Sequence, residues 1–239
     1  METTNQIFSI KNGEIHQKDK MILKDVNIHL DKGEFVYLIG RTGTGKSSLL
    51  KTLYGELPLQ KGSGQVAGFD LTTMKRKDIP FLRRNLGIVF QDFQLLSDRS
   101  IMDNLIFVMK STGWKKKDEI QKRAMEVLSL VGLDHIENKM PHQVSGGEQQ
   151  RVSIARALVN KPAFILADEP TGNLDPETSK EIVAVLMAIA KEGTSVLMAT
   201  HDLALMEQFP SRTMQVKDHT VIELNPMNAF NPFEQVKYE

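Results

Sequence analysis

The segment Gly40–Ser47 (Gly-Arg-Thr-Gly-Thr-Gly-Lys-Ser) constrains the fold of this chain more than any other feature. It follows an apolar run at 35–39 and precedes a helical pattern. A glycine-rich loop between a strand and a helix directs backbone N–H groups at phosphate oxygens. Lys46 adds a full charge for the β- and γ-phosphates, and the hydroxyl of Ser47 is a ligand for Mg²⁺. The predicted nucleotide contacts here are Gly40, Arg41, Thr42, Gly43, Thr44, Gly45, Lys46, Ser47 and Ser48.

The type of nucleotide is indicated by a motif that is missing. GTP-binding proteins read the guanine base with an Asn-Lys-x-Asp sequence, and its nearest approach here is 160–163, Asn-Lys-Pro-Ala. This segment lacks the aspartate. The sequence therefore favours ATP as the ligand, with Mg²⁺ as its companion ion.

The fold class is predicted from apolar runs that lack polar alternation. Four such runs, at 35–39, 86–90, 164–167 and 195–199, are typical of strands covered on both faces. Helical patterns separate them, which indicates an α/β fold with a largely parallel sheet. We predict a RecA-like parallel core with the phosphate loop (residues 40–47) at its edge.

Two further sheet segments and a helical insertion complete the predicted organisation. Val26, Ile28 and Leu30 alternate with polar residues, which predicts a half-exposed antiparallel strand, and 213–224 reads as a closing hairpin. Helices are predicted over 101–109, capped by Ser100 with Asp103, and over 115–131, ended by Gly132. We therefore expect one domain over 1–225 with an antiparallel β subdomain, an α-helical subdomain at about 92–159, and a flexible tail at 226–239.

Two carboxylates follow the third apolar run. Asp168 and Glu169 are expected at the carboxyl edge of a parallel sheet, where such folds bind ligands. Asp168 is the candidate Mg²⁺ ligand, and Glu169 is the candidate base that polarises the attacking water. An acidic pair before Pro170 can also simply cap a turn. The upstream phosphate loop favours the catalytic interpretation.

Two uncharged side chains follow the other predicted strands. Gln91 comes directly after the second run, where its amide can contact both Mg²⁺ and the attacking water. His201 comes after the fourth run, where its imidazole can donate a hydrogen bond to the γ-phosphate. A lone histidine at a strand end is usually structural, so this role depends on the other motifs.

A second glycine-rich helix start lies at Ser145-Gly146-Gly147-Glu148. Ser145 and Glu148 have the spacing of a capping box, which a purely structural reading explains. The two glycines are unfavourable inside a helix by up to about 1 kcal/mol each, and their N–H groups would make a second anion site. The sequence therefore predicts a nucleotide bound between Lys46 of one copy and Ser145 of another.

Composition excludes some classes of function. Lys plus Arg and Asp plus Glu each number 30, so no net charge attracts the chain to nucleic acid, and its basic runs lack interleaved aromatic residues. The absence of cysteine suits a reducing cytoplasm. The longest apolar stretch, 182–190, is less than half a membrane span, so a membrane role is expected through a partner.

Taken together, the motifs resemble the nucleotide-binding domain of ABC-type ATPases over nearly all of 1–225. By this resemblance, residues 40–47 correspond to the Walker A loop, and Asp168 with Glu169 to the Walker B pair. Ser145–Gln149 corresponds to the signature segment, which binds the nucleotide of the opposed copy through Ser145, Gly146, Gly147 and Gln149. The resemblance implies ATP hydrolysis in a nucleotide-sandwich homodimer.

The same resemblance assigns the remaining motifs. Gln91 corresponds to the Q-loop, Asn173-Leu174-Asp175 to the D-loop, with Asp175 as a nucleotide contact, and His201 to the switch histidine. The aromatic residue that stacks on adenine falls at His16, where an imidazole offers less surface than a phenol ring. His16 is therefore expected as a weaker base contact.

Within the family, 80–84, 91–99 and 198–202 are most similar to the branch that serves bacterial cell division. That similarity implies a partner of the FtsX type, an integral membrane protein that docks near Asp92 and the Asp98-Arg99 pair. The implied location is the cytoplasmic face of the inner membrane, with cell-wall hydrolase activators as indirect partners. An exporter or lipoprotein-releasing transporter stays open as an alternative, and so does an ATP-occupancy scaffold with little turnover.

Two other classes are disfavoured. A chromosome-maintenance ATPase would carry long coiled coils between the phosphate loop and Ser145, and this interval lacks heptads. A tandem translation factor would need a second cassette, for which 239 residues leave no room.

Overall fold

The computed structural model describes residues 5–224 of the chain. The predicted tail at 226–239 lies outside these residues. The strands are β1 (Gln6–Gln17), β2 (Lys20–Asp31), β3 (Phe35–Ile39), β4 (Leu59–Val66), β5 (Phe69–Asp70), β6 (Leu86–Phe90), β7 (Phe164–Asp168), β8 (Ser195–Thr200), β9 (Arg212–Lys217) and β10 (Thr220–Leu224). The helices are α1 (Lys46–Leu53), α2 (Ile79–Arg84), α3 (Ile101–Ser111), α4 (Lys117–Leu130), α5 (Gly146–Leu158), α6 (Pro176–Lys191) and α7 (Leu203–Gln208), with a 3-10 turn at Pro141–Gln143.

A six-stranded sheet forms the centre of the molecule, in the order β10-β9-β3-β8-β7-β6. β3, β8, β7 and β6 are mutually parallel neighbours, and β9 joins β3 in parallel before turning back antiparallel into β10. The four predicted buried strands and the closing hairpin are confirmed. Because the central strands are parallel, the segments that follow them all emerge at one edge of the sheet.

The residues of β3 show why the central strands lack polar alternation. Tyr37 and Ile39 pack into a hydrophobic cluster with α3, α4, α5 and α6 on one face of the sheet. Val36 and Leu38 pack into a second cluster with α1 and the antiparallel sheet on the other face. Both faces of the strand are covered, so every position is apolar.

A four-stranded sheet, β2-β1-β4-β5, covers the second face. The alternation of Val26, Ile28 and Leu30 correctly predicted β2, but β1 and β4 were not predicted. The register of β1 shifts between Ile10 and Gly13 and again beyond, so its apolar residues do not keep a period of two. The apolar pattern of β4 is interrupted by two glycines.

Only helices and turns lie between β6 and β7. Ser100 caps α3 as predicted, accepting a hydrogen bond from the Asp103 N–H at 3.1 Å, but the helix continues to Ser111 rather than ending at 109. α4 begins at Lys117, two residues later than predicted, and Gly132 follows its end with a φ of 71°. α2 was not predicted. None of the helices in 5–224 is long and apolar enough to span a bilayer.

Candidate functional site

A cleft of about 780 Å³ opens at the carboxyl edge of the parallel strands. Its walls consist of Gln17, Ile22, Thr42, Gly43, Gly45, Lys46, Ser47, Ser48, Lys51, Phe90, Gln91, Asp92, Asp168, Glu169, Asn173 and His201. The strand order therefore brings together the phosphate loop and the residues that follow β6, β7 and β8. Gly40, Arg41 and Thr44 belong to the loop without lining the cleft.

The start of α1 leaves its backbone donors open. Its N-cap is Gly45, in a left-handed conformation with a φ of 115°, and no side chain caps the first turn. A glycine adopts this φ without the strain that a side chain would cause. Since the first N–H groups of a helix have no partner within it, this end attracts anions.

Lys46 is held at the same helix start. Its side chain is only 7% exposed. The ammonium group donates a hydrogen bond to the Gly40 carbonyl at 2.8 Å and lies 3.4 Å from a carboxylate oxygen of Glu169. These contacts hold the charge beside the uncapped helix start.

Asp168 and Ser47 make an oxygen pair that suits a hard divalent cation. Burial raises the pKa of Asp168, and a hydrogen bond from Ser47 opposes that shift. A carboxylate whose ionised form is disfavoured by burial gains from a cation. In 5–224 no three His, Cys, Asp or Glu residues form a metal-holding group. Two protein oxygens of this kind fit Mg²⁺, which binds through one or two protein oxygens together with phosphate and water.

Glu169 has the most constrained backbone of the acidic residues in the cleft. Its φ is 50°, an unusual conformation for a residue with a side chain, and its N–H donates to the Ala199 carbonyl at 3.0 Å. Its carboxylate lies 2.8 Å from His201 Nδ1 and near Lys46. Strained residues cluster at functional sites, which motivates a catalytic hypothesis for Glu169.

In the structure, the imidazole of His201 contacts the carboxylate of Glu169. Sequence interpretation expected its imidazole to meet the γ-phosphate and missed this carboxylate contact. The two residues follow different strands and are 32 positions apart, so no local pattern could have indicated their pairing.

Gln91 is paired with Asn173 by two reciprocal hydrogen bonds. Gln91 Nε2 donates to Asn173 Oδ1 at 3.1 Å, and Asn173 Nδ2 donates to the Gln91 carbonyl at 3.0 Å. The residues are 82 positions apart. Sequence interpretation named Asn173 only within the D-loop and missed this contact.

The capping box at the start of α5 is confirmed. Ser145 N–H donates to Glu148 Oε2 at 2.7 Å, and Glu148 N–H donates to Ser145 Oγ at 3.2 Å. Backbone and side-chain hydrogen bonds from Ser145 lower the pKa of Glu148. This helix start therefore satisfies part of its own donors with its own side chains.

One glycine of α5 has a packing reason that the sequence interpretation missed. A Cβ at Gly147 would lie within clashing distance of the Thr178 side chain on α6, so the helices could not pack as they do. A Cβ at Gly146 would meet only ordinary contacts. Packing against Thr178 therefore gives Gly147 a reason to lack a side chain that is separate from anion binding, and its contact with a nucleotide stays a prediction.

Several predicted nucleotide contacts lie away from the cleft of this copy. They are Ser145, Gly146, Gly147, Gln149 and Asp175. Gln149 donates to the Val144 carbonyl at 3.3 Å, and Asp175 is the N-cap of α6, accepting from the Glu177 and Thr178 N–H groups. Within one copy these residues do not meet Lys46.

His16 also lies outside the walls of the cleft. Its Nε2 is 2.8 Å from a carboxylate oxygen of Glu14, while Gln17 and Ile22 line the cleft at this end. At this end of β1, Gln17 and not His16 faces the cleft. Stacking of His16 on adenine stays a prediction that this geometry does not support.

Known proteins with similar sequences indicate the family of this chain. A family model described as ABC transporter matches residues 23–172. The cell division ATP-binding protein FtsE of Streptococcus pneumoniae is 44% identical over 200 residues, 84% of this chain and 86% of that protein. FtsE of Bacillus subtilis is 44% identical over 212 residues, 89% and 92% of the two chains.

A solved structure shares the fold. It is the dimeric ATP-binding cassette MJ0796 in a post-hydrolysis state bound to ADP and Pi. It is 32% identical with a TM-score of 0.79, and the match covers 92% of this chain and 98% of that one.

Proposed function

The chain belongs to the ABC transporter family, and we propose that it drives a bacterial cell-division complex. It is an ATPase of the ABC type. In the proposed complex, ATP-driven closure of two copies is relayed through an FtsX-like integral membrane protein to control cell-wall hydrolysis. Similarity to FtsE proteins over 84–89% of the chain is the observation that carries the cell-division part of this proposal.

The proposed chemistry follows from the contacts of the cleft. Lys46 and the uncapped start of α1 bind the β- and γ-phosphates of ATP. Glu169 accepts a hydrogen bond from the attacking water and polarises it, and His201 holds the Glu169 carboxylate through the 2.8 Å contact. Ser47, Gln91 and Asp168 would hold Mg²⁺, which supplies charge neutralisation on the phosphates. The products are ADP and phosphate.

A second copy completes the proposed site. Ser145 and the start of α5 do not line the cleft of their own copy, so a nucleotide that they bind would be that of another copy. The solved relative MJ0796 is dimeric, which supports a homodimer of this chain. In that dimer each nucleotide lies between Lys46 of one copy and Ser145 of its partner.

A second groove supports the docking of a membrane partner. It has a volume of about 430 Å³, lies between α2, β6, α3 and α5, and shares Phe90 with the cleft. Phe107, 47% exposed, lies at this groove with the Arg99 guanidinium 4.9 Å from its ring centroid. The groove adjoins the segment after Gln91, where Asp92 and Asp98 were predicted to meet the partner. The chain is thus proposed to bind the cytoplasmic face of the inner membrane through that protein.

Trapping the ATP-bound complex tests the biological assignment. Glu169→Gln would be held with ATP in its native membranes, and the proteins that co-purify would be identified. Recovery of an FtsX-like protein with wall-hydrolase activators supports the proposal. Recovery of an export or lipoprotein-release permease would assign the same ATPase to transport and overturn the cell-division role. Turnover by the wild type equal to that of Glu169→Gln would instead indicate an ATP-occupancy scaffold.

A further inference from the structure

We propose that Asn173 is a positioning residue for hydrolysis, and that it sets the orientation of the Gln91 side-chain amide. In this orientation the amide nitrogen of Gln91 is held by Asn173, and the amide oxygen is left for Mg²⁺ or the attacking water. The inference rests on the proposed hydrolytic role of the cleft and adds a residue to it. Asn173 lines the cleft beside Gln91.

The orientation follows from which groups can donate. The Gln91 carbonyl can only accept, so the Asn173 atom 3.0 Å from it must be the amide nitrogen Nδ2. Asn173 then presents its oxygen Oδ1 to the Gln91 side chain, 3.1 Å away. Because Oδ1 can only accept, Gln91 must present Nε2, and Oε1 is the atom that this pairing does not use. A backbone group thereby settles an amide orientation that is otherwise ambiguous.

The chosen atom has a chemical consequence. Mg²⁺ takes oxygen ligands, and an attacking water donates its proton to an acceptor. Gln91 can serve either purpose only through Oε1. If the Gln91 amide were rotated by 180°, its NH₂ group would replace Oε1 and could bind neither Mg²⁺ nor the proton of the water. Asn173 therefore selects the orientation in which Oε1 is available.

Gly172 allows the pair to approach. A Cβ at this position would lie 2.6 Å from Gln91 Nε2 and 2.9 Å from its Cδ. Its φ lies outside the positive range, so alanine would strain the contact and not the backbone. Gly172→Ala is therefore a steric probe of the same pairing.

A buried side chain holds the backbone of the same two segments. Gln150 on α5 is fully buried and donates to the Phe90 carbonyl at 3.2 Å and the Pro170 carbonyl at 2.5 Å. Phe90 precedes Gln91, and Pro170 follows Glu169. Since Gln150 keeps these segments together, removal of the exposed Asn173 side chain would change the amide orientation and leave the fold intact.

A double-mutant cycle on ATP turnover tests the role. In Asn173→Ala we expect kcat to fall about three- to tenfold, the size of one lost neutral hydrogen bond, with KM for ATP within about twofold. In a Gln91→Ala background the same change should have no further effect on kcat, because the side-chain amide that Asn173 orients is gone. Asn138→Ala, at another exposed asparagine, is the matched control and should leave kcat unchanged. Multiplying effects in the double variant, or an unchanged kcat in Asn173→Ala, would overturn the inference.

A spectroscopic measurement gives an answer independent of turnover. The side-chain ¹⁵N–¹H signals of Gln91 are identified by their loss in Gln91→Ala. They should shift in Asn173→Ala and Gly172→Ala, and stay in place in Asn138→Ala. Unshifted signals in Asn173→Ala would show that the pairing is not made in solution. A wild type that does not hydrolyse ATP would contradict the proposed function, whereas this shift would still report on the pairing.

Discussion

The two glycine-rich helix starts of this protein differ in how their backbone donors are satisfied. α1 begins at Gly45 with no side-chain cap and no acidic residue in its first turn, and Lys46 lies beside it. α5 begins at Ser145 with a complete capping box, and its first turn carries Glu148. Both starts have the partial positive charge of a helix N-terminus.

The difference indicates how the two starts divide the binding of one nucleotide. The start of α1 can attract phosphate within a single copy, because its donors are open and a lysine reinforces them. The start of α5 satisfies part of its donors with its own capping box, and the negative charge of Glu148 opposes an anion. It is therefore expected to contribute only after α1 and the dimer contacts have brought a nucleotide to it.

The largest expected effect is on the rate of ATP hydrolysis in the cleft at the start of α1. Glu169→Gln keeps the shape of the side chain and removes the base, so kcat should fall by about 10²–10⁴ while ATP is still bound. Steady-state phosphate release and equilibrium ATP binding measure the two quantities. Glu177→Gln, on the exposed first turn of α6, should leave both unchanged. A wild-type kcat in Glu169→Gln would show that Glu169 is not the catalytic base.

The next effect separates the two helix starts by ATP affinity. Lys46→Ala should raise the Kd for ATP by about 10- to 100-fold, since a buried charged hydrogen-bond donor to phosphate is lost. Ser145→Ala should leave that Kd within about twofold at protein concentrations too low for dimers. Titration with a fluorescent ATP analogue measures both. Equal losses in the two variants would break the comparison, because the capped helix start would then bind ATP alone.

A smaller effect concerns the stability that the capping box provides to α5. Ser145→Ala should lower the free energy of unfolding by about 1 kcal/mol, because the Glu148 N–H loses its acceptor. Ser145→Thr retains the hydroxyl and should recover most of that loss. Urea denaturation of the variants measures the difference. An unchanged midpoint in Ser145→Ala would show that the box adds no stability to this helix.

The smallest expected effect is on the pH dependence of the free energy of unfolding, to which Asp168 and Glu148 should contribute with opposite signs. Burial raises the pKa of Asp168 above its ordinary value of 3.8, so the folded protein binds a proton more tightly there than the unfolded chain does. The folded protein therefore loses stability as the pH rises from 3.8 through the raised pKa. The pKa of Glu148 is lowered from 4.5, so its stabilisation is present above that value and is lost as the pH falls through the lowered one.

Denaturation of three proteins across this acidic range checks the signs. Relative to Asp168→Asn, the wild type should become less stable with rising pH. Relative to Glu148→Gln, it should become more stable with rising pH. Slopes of the same sign would mean that one of the two carboxylates is not in the environment described.

Features encoded within a few neighbouring residues were predictable from the sequence. The strands at 35–39, 86–90, 164–168 and 195–200 were predicted from largely apolar runs at 35–39, 86–90, 164–167 and 195–199, and the caps at Ser100 and Ser145 lie three residues from their partners. β1 could not be predicted in the same way, because its bulges interrupt the period on which such a prediction depends. α2 has only six residues, too few to establish a helical period.

The sequence by itself determined the chemistry of this protein: a phosphate loop, an acidic pair, two uncharged polar residues after strands and a second glycine-rich helix start. Only the tertiary structure decided which of these groups contact each other. The side chain of His201 contacts Glu169, and that of Asn173 contacts Gln91. His16 contacts Glu14 and lies outside the cleft. The physical reason is that loops and caps are set by interactions over a few residues. The first two contacts depend instead on strand order, and the exclusion of His16 depends on how β1 lies against the cleft.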